Sequence, residues 1–224
     1  MVANISGLRF GFPIRAVAFD LDDTLFDRRM ALARLLDEWS SSAVNPEDAW
    51  KVDQDGQAPR EEFFGWLASR FGGPGGNGPS SARHFQRAFP LHVTPDPAVL
   101  HVLDRLRESG LPLGLLSNGS PGMQMAKLRA CGAAGYFDKC CRLFSGGIQL
   151  EKPDPRAFLL LASRLDCRPG EILFVGDDPV RDIAGAAAAG MMTCRLKRPG
   201  RTGDCEGATI ESMAELPMLL AAHA

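Results

Sequence analysis

The apolar run Ala16-Val17-Ala18-Phe19 leads straight into Asp20-Leu21-Asp22-Asp23-Thr24, and this junction constrains the chain more than any other. Four consecutive apolar residues bounded by polar ones read as a short buried strand. Carboxylates at i and i+2 beyond such a strand would share one side of the sheet. Like charges that close repel unless a cation or a shared proton intervenes. A hard ion such as Mg²⁺, which favours carboxylate oxygens and keeps several waters, resolves the repulsion. The junction is therefore a candidate metal-assisted phosphoryl-transfer site.

With 224 residues the chain fits one large domain, or a core domain carrying a smaller insertion. A net charge of −2 gives no electrostatic footprint for nucleic acid or an acidic membrane. No stretch approaches the length of a membrane span. The N-terminus carries no basic segment followed by a long apolar one, and Pro13 interrupts it. The six cysteines show neither CxxC spacing nor a histidine pattern, so zinc is not expected and a reduced, cytoplasmic setting fits. A monomer or homodimer is expected, with no nucleic-acid or membrane partner.

Two textures follow along the chain. Residues 27–92 look helical, with apolar residues at helical spacing in Met30–Trp39 and Glu61–Phe71. The Gly/Pro-rich tract from Gly72 to Pro79 between helical segments reads as a loop. From about Pro95, helix and strand alternate. Helices are expected over Asp96–Ser109, Gly122–Ala130, Arg156–Leu165, Val180–Ala189 and near Met213–Ala222. Strands are expected over Leu113–Leu116, Cys141–Phe144, Ile172–Val175 and, last, Met192–Leu196. This alternation implies an α/β fold: a doubly wound, Rossmann-like parallel sheet made of residues 1–26 and 93–224, with a small all-helical domain of residues 27–92 inserted. In such sheets ligands bind beyond the carboxyl ends of the strands.

Four polar constellations fall at or near those ends. The first is the Asp20 junction. The second is Ser117-Asn118-Gly119, followed by Ser120-Pro121 at a helix start, where a hydroxyl and backbone N–H groups suit a phosphate. The third is Glu151-Lys152-Pro153-Asp154-Pro155, whose lysine can neutralise phosphoryl oxygens. The fourth is Gly176-Asp177-Asp178 with Asp182 one turn on. Each has a plainer reading: Ser117 as a helix cap, Lys152 as a surface charge, Asp178 as the cap of its helix, Asp23 as a partner of the turn backbone. Their order along the chain is what one phosphoryl site requires.

These four segments resemble the four motifs of the haloacid dehalogenase superfamily, largely magnesium-dependent phosphatases. Asp20-Leu21-Asp22-Asp23-Thr24-Leu25 matches the first, Ser117-Asn118-Gly119 the second, Lys152-Pro153-Asp154 the third, and the segment from Gly176 through Ala186 the fourth. The helical insertion resembles that family's cap. The resemblance implies a Mg²⁺-dependent phosphomonoesterase acting on a small phosphorylated metabolite. Asp20 would be the nucleophile that becomes an aspartyl-phosphate, Asp22 the general acid and base, and Thr24 an orienting group. Ser117, Asn118 and Lys152 would hold the phosphoryl group. Asp20, the Asp22 carbonyl and Asp177 would bind Mg²⁺, with Asp182 behind them.

The same motif speaks against dehalogenation, because a departing halide takes no proton and Asp22 would have no task; in the resembled family, dehalogenase-like members carry a non-acidic residue where Asp22 stands. A sugar-phosphate mutase or phosphotransferase is the alternative enzyme, although related mutases usually carry Gly and a small apolar residue in place of Asp23 and Thr24. A non-catalytic binding protein on the same fold would be expected to lack Asp20, Asp22 or Lys152. In the insertion, Trp39, Trp50 and Trp66 accompany several arginines, among them Arg60 and Arg70. The aromatics read as a small core. Arg28, directly after the catalytic loop, is the candidate substrate contact. The basic run Lys197-Arg198-Pro199-Gly200-Arg201 reads as a solvated loop.

Overall fold

The computed structural model describes residues 13–39, 45–56, 58–71, 79–199, 201, 203 and 207–221. The chain divides into two units, Met1–Phe26 with Pro95–Ala224, and Asp27–Thr94. The first holds strands β1 (Ala16–Phe19), β2 (Leu113–Ser117), β3 (Arg142–Phe144), β4 (Ile172–Gly176), β5 (Met192–Leu196) and β6 (Ala208–Ile210). The second holds helices α1 (Arg28–Trp39), α2 (Pro46–Asp53), α3 (Arg60–Phe71) and α4 (Pro79–Ala88). The remaining helices belong to the first unit: α5 (Pro97–Glu108), α6 (Pro121–Ala130), α7 (Ser145–Ile148), α8 (Pro155–Arg164), α9 (Gly185–Ala188) and α10 (Leu216–Ala221). The Gly72–Gly78 part of the expected loop lies outside the described residues.

All six strands are parallel, in the order β3-β2-β1-β4-β5-β6. β1, β2 and β4 are buried at every residue, as strands covered on both faces must be. On one face Ala16, Ala18, Ile172 and Phe174 pack with Phe158, Leu161 and Leu165 from α8 and its end, the Phe158 and Phe174 rings meeting edge-on at 5.0 Å. Phe19, one residue out of phase with Ala18, meets Phe137, with ring centroids 6.2 Å apart. Each such fully buried side chain contributes about 1.5–3 kcal/mol.

Helix starts follow their signals. The Asp96 carboxylate accepts from the Ala98 and Val99 amides, the Asp154 carboxylate from that of Arg156, and a proline opens each helix. Two expectations are corrected. Met192–Leu196 is not the last strand, since the three-residue β6 lies beside it. Nor is Val180–Ala189 one α-helix: Pro179–Ala184 is a π-turn, in which the Ile183 amide reaches back to the Asp178 carbonyl, and α9 follows. Single π-turns concentrate at functional positions.

The helical unit has its own aromatic centre. Phe85 sits between Phe63 (5.5 Å), Phe64 (5.6 Å) and Phe89 (5.1 Å), with Trp39 at 6.4 Å. Beside it lies a buried ion pair: Arg28 Nη1 donates to Asp53 Oδ2 at 2.5 Å, and Arg60 Nη1 donates to Asp53 Oδ1 at 3.2 Å. The Gly56 amide completes the carboxylate's shell at 2.8 Å. A Cβ at Gly56, whose φ is +83°, would stand 3.3 Å from the Arg28 guanidinium, so glycine suits both the turn and the pair.

Candidate active site

The Asp20 amide donates to the Val175 carbonyl at 3.0 Å, continuing the β1–β4 ladder one residue past the strand. Asp20 therefore stands beside Gly176, the last residue of β4, with Asp177 following it. Asp20, Asp177 and Asp182 are all buried, and each offers a carboxylate oxygen within 4.8 Å of the others. The approach depends on Gly176: a Cβ there would fall 2.5 Å from the Asp182 carboxylate. Asp182 is aimed by the π-turn and fixed by the Asp178 amide, which donates to its Oδ2 at 3.0 Å.

Lys152 enters the cluster from the loop before α8. Its buried Nζ donates to Asp20 Oδ1 at 2.5 Å and to Asp182 Oδ1 at 2.6 Å. Burial pushes the Asp20 carboxyl up to about 7; Lys152 opposes this, while Asp182 and Asp22 add to it. Asp177 is likewise raised by burial, against the pull of Arg201 and with a further push from Asp182 and Asp20. Burial works against the Lys152 ammonium, but Asp182 and Asp20 outweigh it and hold its pKa above the ordinary value.

Ser117 ends β2, and its buried hydroxyl accepts from Gln124 Nε2 at 2.6 Å. Asn118 joins two constellations: its amide donates to the Lys152 carbonyl at 2.9 Å, and its oxygen accepts from the Lys152 amide at 2.9 Å. The Thr24 hydroxyl is fully buried without a hydrogen-bond partner among the described residues. Asp22 departs from the i, i+2 expectation, because the strand ends at Phe19 and the chain turns. Its carboxylate joins Lys127 and Gln124 rather than the three-carboxylate cluster. Arg28 lies in the helical unit, paired with Asp53. Asp178 caps its helix through the Val180 and Arg181 amides.

In the basic run, Lys197 and Pro199 are exposed as expected, but Arg198 and Arg201 are half-buried. Arg198 Nε donates to the Asp23 carbonyl at 2.5 Å, and Arg201 Nη1 pairs with Asp178 Oδ2 at 2.7 Å while its Nε contacts Asp177. Buried carboxylates require nearby positive charge, a demand the sequence shows only as several aspartates with few internal cations. Gln124 and Lys127 were not singled out in the sequence either. With Leu128 they form the buried face of α6, at a spacing normally filled by apolar residues.

Residues 14–190 match the family model for haloacid dehalogenase-like hydrolases. Over 208 residues the chain is 31% identical to a glyceraldehyde 3-phosphate phosphatase of Methanopyrus kandleri, covering 86% of this chain and 88% of that protein. It is 34% identical over 128 residues to (S)-2-haloacid dehalogenase 1 of Pseudomonas sp. (strain CBS-3), covering 55% of each. Among solved structures, the L-2-haloacid dehalogenase RSc1362 superposes with a TM-score of 0.76 at 25% identity, over 94% of this chain and all of that one. No helix among the described residues is long and apolar enough to cross a membrane. The chain belongs to the haloacid dehalogenase-like hydrolase family and is a hydrolase with phosphatase homologues.

Proposed function

We propose that the protein is a Mg²⁺-dependent phosphomonoesterase that hydrolyses a small phosphorylated metabolite through an aspartyl-phosphate on Asp20. The observation that carries this reading is the Asp20–Asp177–Asp182 cluster within 4.8 Å, bridged by Lys152. Two of its carboxyls are raised because burial leaves their negative charge undercompensated, a donor set that suits a hard divalent cation. Asp20, Asp177 and the Asp22 carbonyl would hold it, with Asp182 behind them, and when bound it would neutralise charge on the phosphoryl oxygens.

In this reading an Asp20 carboxylate oxygen attacks phosphorus, and the bond from phosphorus to the leaving oxygen breaks. Asp22 gives that oxygen a proton, and Ser117 and Lys152 hold the equatorial oxygens. Water then attacks the acyl phosphate, Asp22 takes its proton, and inorganic phosphate leaves with Asp20 restored. Asp22 favours this over dehalogenation, since a halide departs without a proton. The helical unit is proposed as the cap, and the five described free cysteines support a reducing, cytoplasmic setting.

The test is phosphate release from an aryl phosphate, with Mg²⁺ and with chelator, by the native chain and by Asp20→Asn. Release that requires the metal and vanishes in Asp20→Asn is expected. Release that survives either treatment sinks the mechanism.

A further inference from the structure

α6 turns Gln124, Lys127 and Leu128 inward. A lysine 6% exposed and a glutamine 1% exposed on a helix's buried face are costly unless partnered. Both lead to Asp22. Lys127 Nζ donates to both carboxylate oxygens, at 2.7 and 3.0 Å. Gln124 Nε2 donates to Asp22 Oδ2 at 2.9 Å and to Ser117 Oγ at 2.6 Å. The two residues stand at i and i+3, one above the other on the helix. The Asp22 carboxylate therefore has bonds to two donors on one rigid element more than a hundred residues away in sequence.

We propose that Gln124 and Lys127 are positioning residues: together they set the direction of the Asp22 carboxylate and, through Gln124, fix its distance from the phosphate-holding hydroxyl of Ser117. This rests on the phosphatase reading above. A general acid works only within hydrogen-bond reach of the leaving oxygen, and Asp22 lies on a turn after its strand has ended, where the backbone alone does not aim it. The side-chain amide of Gln124 also has a fitted seat, since a Cβ at Gly119, whose φ is +137°, would stand 3.0 Å from its Cδ. The geometry ties the group that serves the leaving oxygen to a group that serves the phosphoryl oxygens.

The consequence is selective. A poor leaving group needs Asp22's proton when its bond to phosphorus breaks, whereas 4-nitrophenolate leaves as a stable anion. Lys127→Met should therefore lower kcat/KM for phenyl phosphate about 10–100-fold, less than the ~10²–10⁴-fold of losing general acid catalysis outright because Asp22 itself remains, and should leave 4-nitrophenyl phosphate nearly unchanged. Asp22→Asn should show the same inequality. In the Asp22→Asn background, Lys127→Met should add nothing, because its target is gone.

Equal losses on both substrates, or losses that add in the double variant, would overturn the proposal. If Lys127→Met does not fold, Gln124→Met is read on the same pair of substrates by the same criteria. Asp20→Asn, run alongside, separates the two readings. If it retains release, the phosphatase reading itself falls. If it abolishes release and the Lys127→Met losses are equal, only the positioning role falls.

Discussion

Asp53→Asn tests whether Arg28 serves the helical unit or a substrate. The Arg28–Asp53 pair is closed from water, with side chains 6% and 0% exposed, and removing one partner leaves the other charge buried and uncompensated. Such a loss costs about 3–5 kcal/mol. Here the lower end applies: Arg60, 42% exposed, can swing its guanidinium into water, and Asn can still accept from the Gly56 amide. For a unit in the 60–100-residue range, about 3 kcal/mol corresponds to a fall in Tm of about 12–24 °C. All three tryptophans, at 39, 50 and 66, lie in this unit, so tryptophan fluorescence during heating reads it selectively. Burial pushes the Asp53 carboxyl up, but Arg28 and Arg60 prevail and hold its pKa below the ordinary value. A carboxylate depressed on folding contributes stability that is present above its unfolded pKa and lost as pH falls through the folded one. The native fluorescence transition should therefore drop below about pH 4, and this part of the drop should be missing in Asp53→Asn. An unchanged Tm in Asp53→Asn, with a raised KM in Arg28→Met, would refute the argument and return Arg28 to the substrate.

Gly176→Ala should displace the Asp182 carboxylate from Lys152 and lower kcat more than about 10-fold while circular dichroism stays native, a sign of local collision in a sheet that still forms. Arg201→Met removes the cation set against Asp177 and Asp178 and should tighten Mg²⁺ binding measured by calorimetry; weaker binding would mean that Arg201 shapes the site instead of competing for it. Because Asp20 is raised on folding, its contribution to stability is present below the unfolded pKa and is lost as pH rises toward 7. The rise in Tm on adding Mg²⁺ should accordingly be larger at pH 7.5 than at pH 5, and an equal rise would contradict that account.

Much of the core was legible because its strands are short apolar runs and its helices carry caps. Asp96-Pro97 and Asp154-Pro155 mark two helix starts within a residue. β6 was not legible: Ala208-Thr209-Ile210 carries no run of adjacent apolar residues, unlike the equally short β3 with Leu143-Phe144. The π-turn at Pro179–Ala184 was hidden because a one-residue change in hydrogen-bond span leaves the apolar spacing helical. Asp20, Ser117, Lys152 and Asp177 could be picked out since each ends or follows a strand or precedes a helix cap, and Asp182 since it stands one turn past Asp178. Their counter-charges could not. Arg198 and Arg201 reach the aspartates from a loop whose composition resembles any solvated segment. Gln124 and Lys127 were missed too, because apolar residues lie all round α6 and the sequence does not mark which face is buried.

The sheet order explains why residues so far apart in sequence converge. Strands proceed outward from β1 through β2 to β3 on one side and from β4 through β5 to β6 on the other. The direction of winding changes between β1 and β4, the kind of position at which doubly wound sheets bind ligands beyond the strand ends. The register Phe19 opposite Val175 then sets Asp20 level with Gly176 and next to Asp177. A one-residue slip of β4 would turn its inward side chains to the other face, so the packing of Phe174 on Phe158 and the pairing of these carboxylates are fixed by one register. The hydrophobic core thus holds three carboxyl groups against one another around Lys152, a donor set that suits a divalent cation.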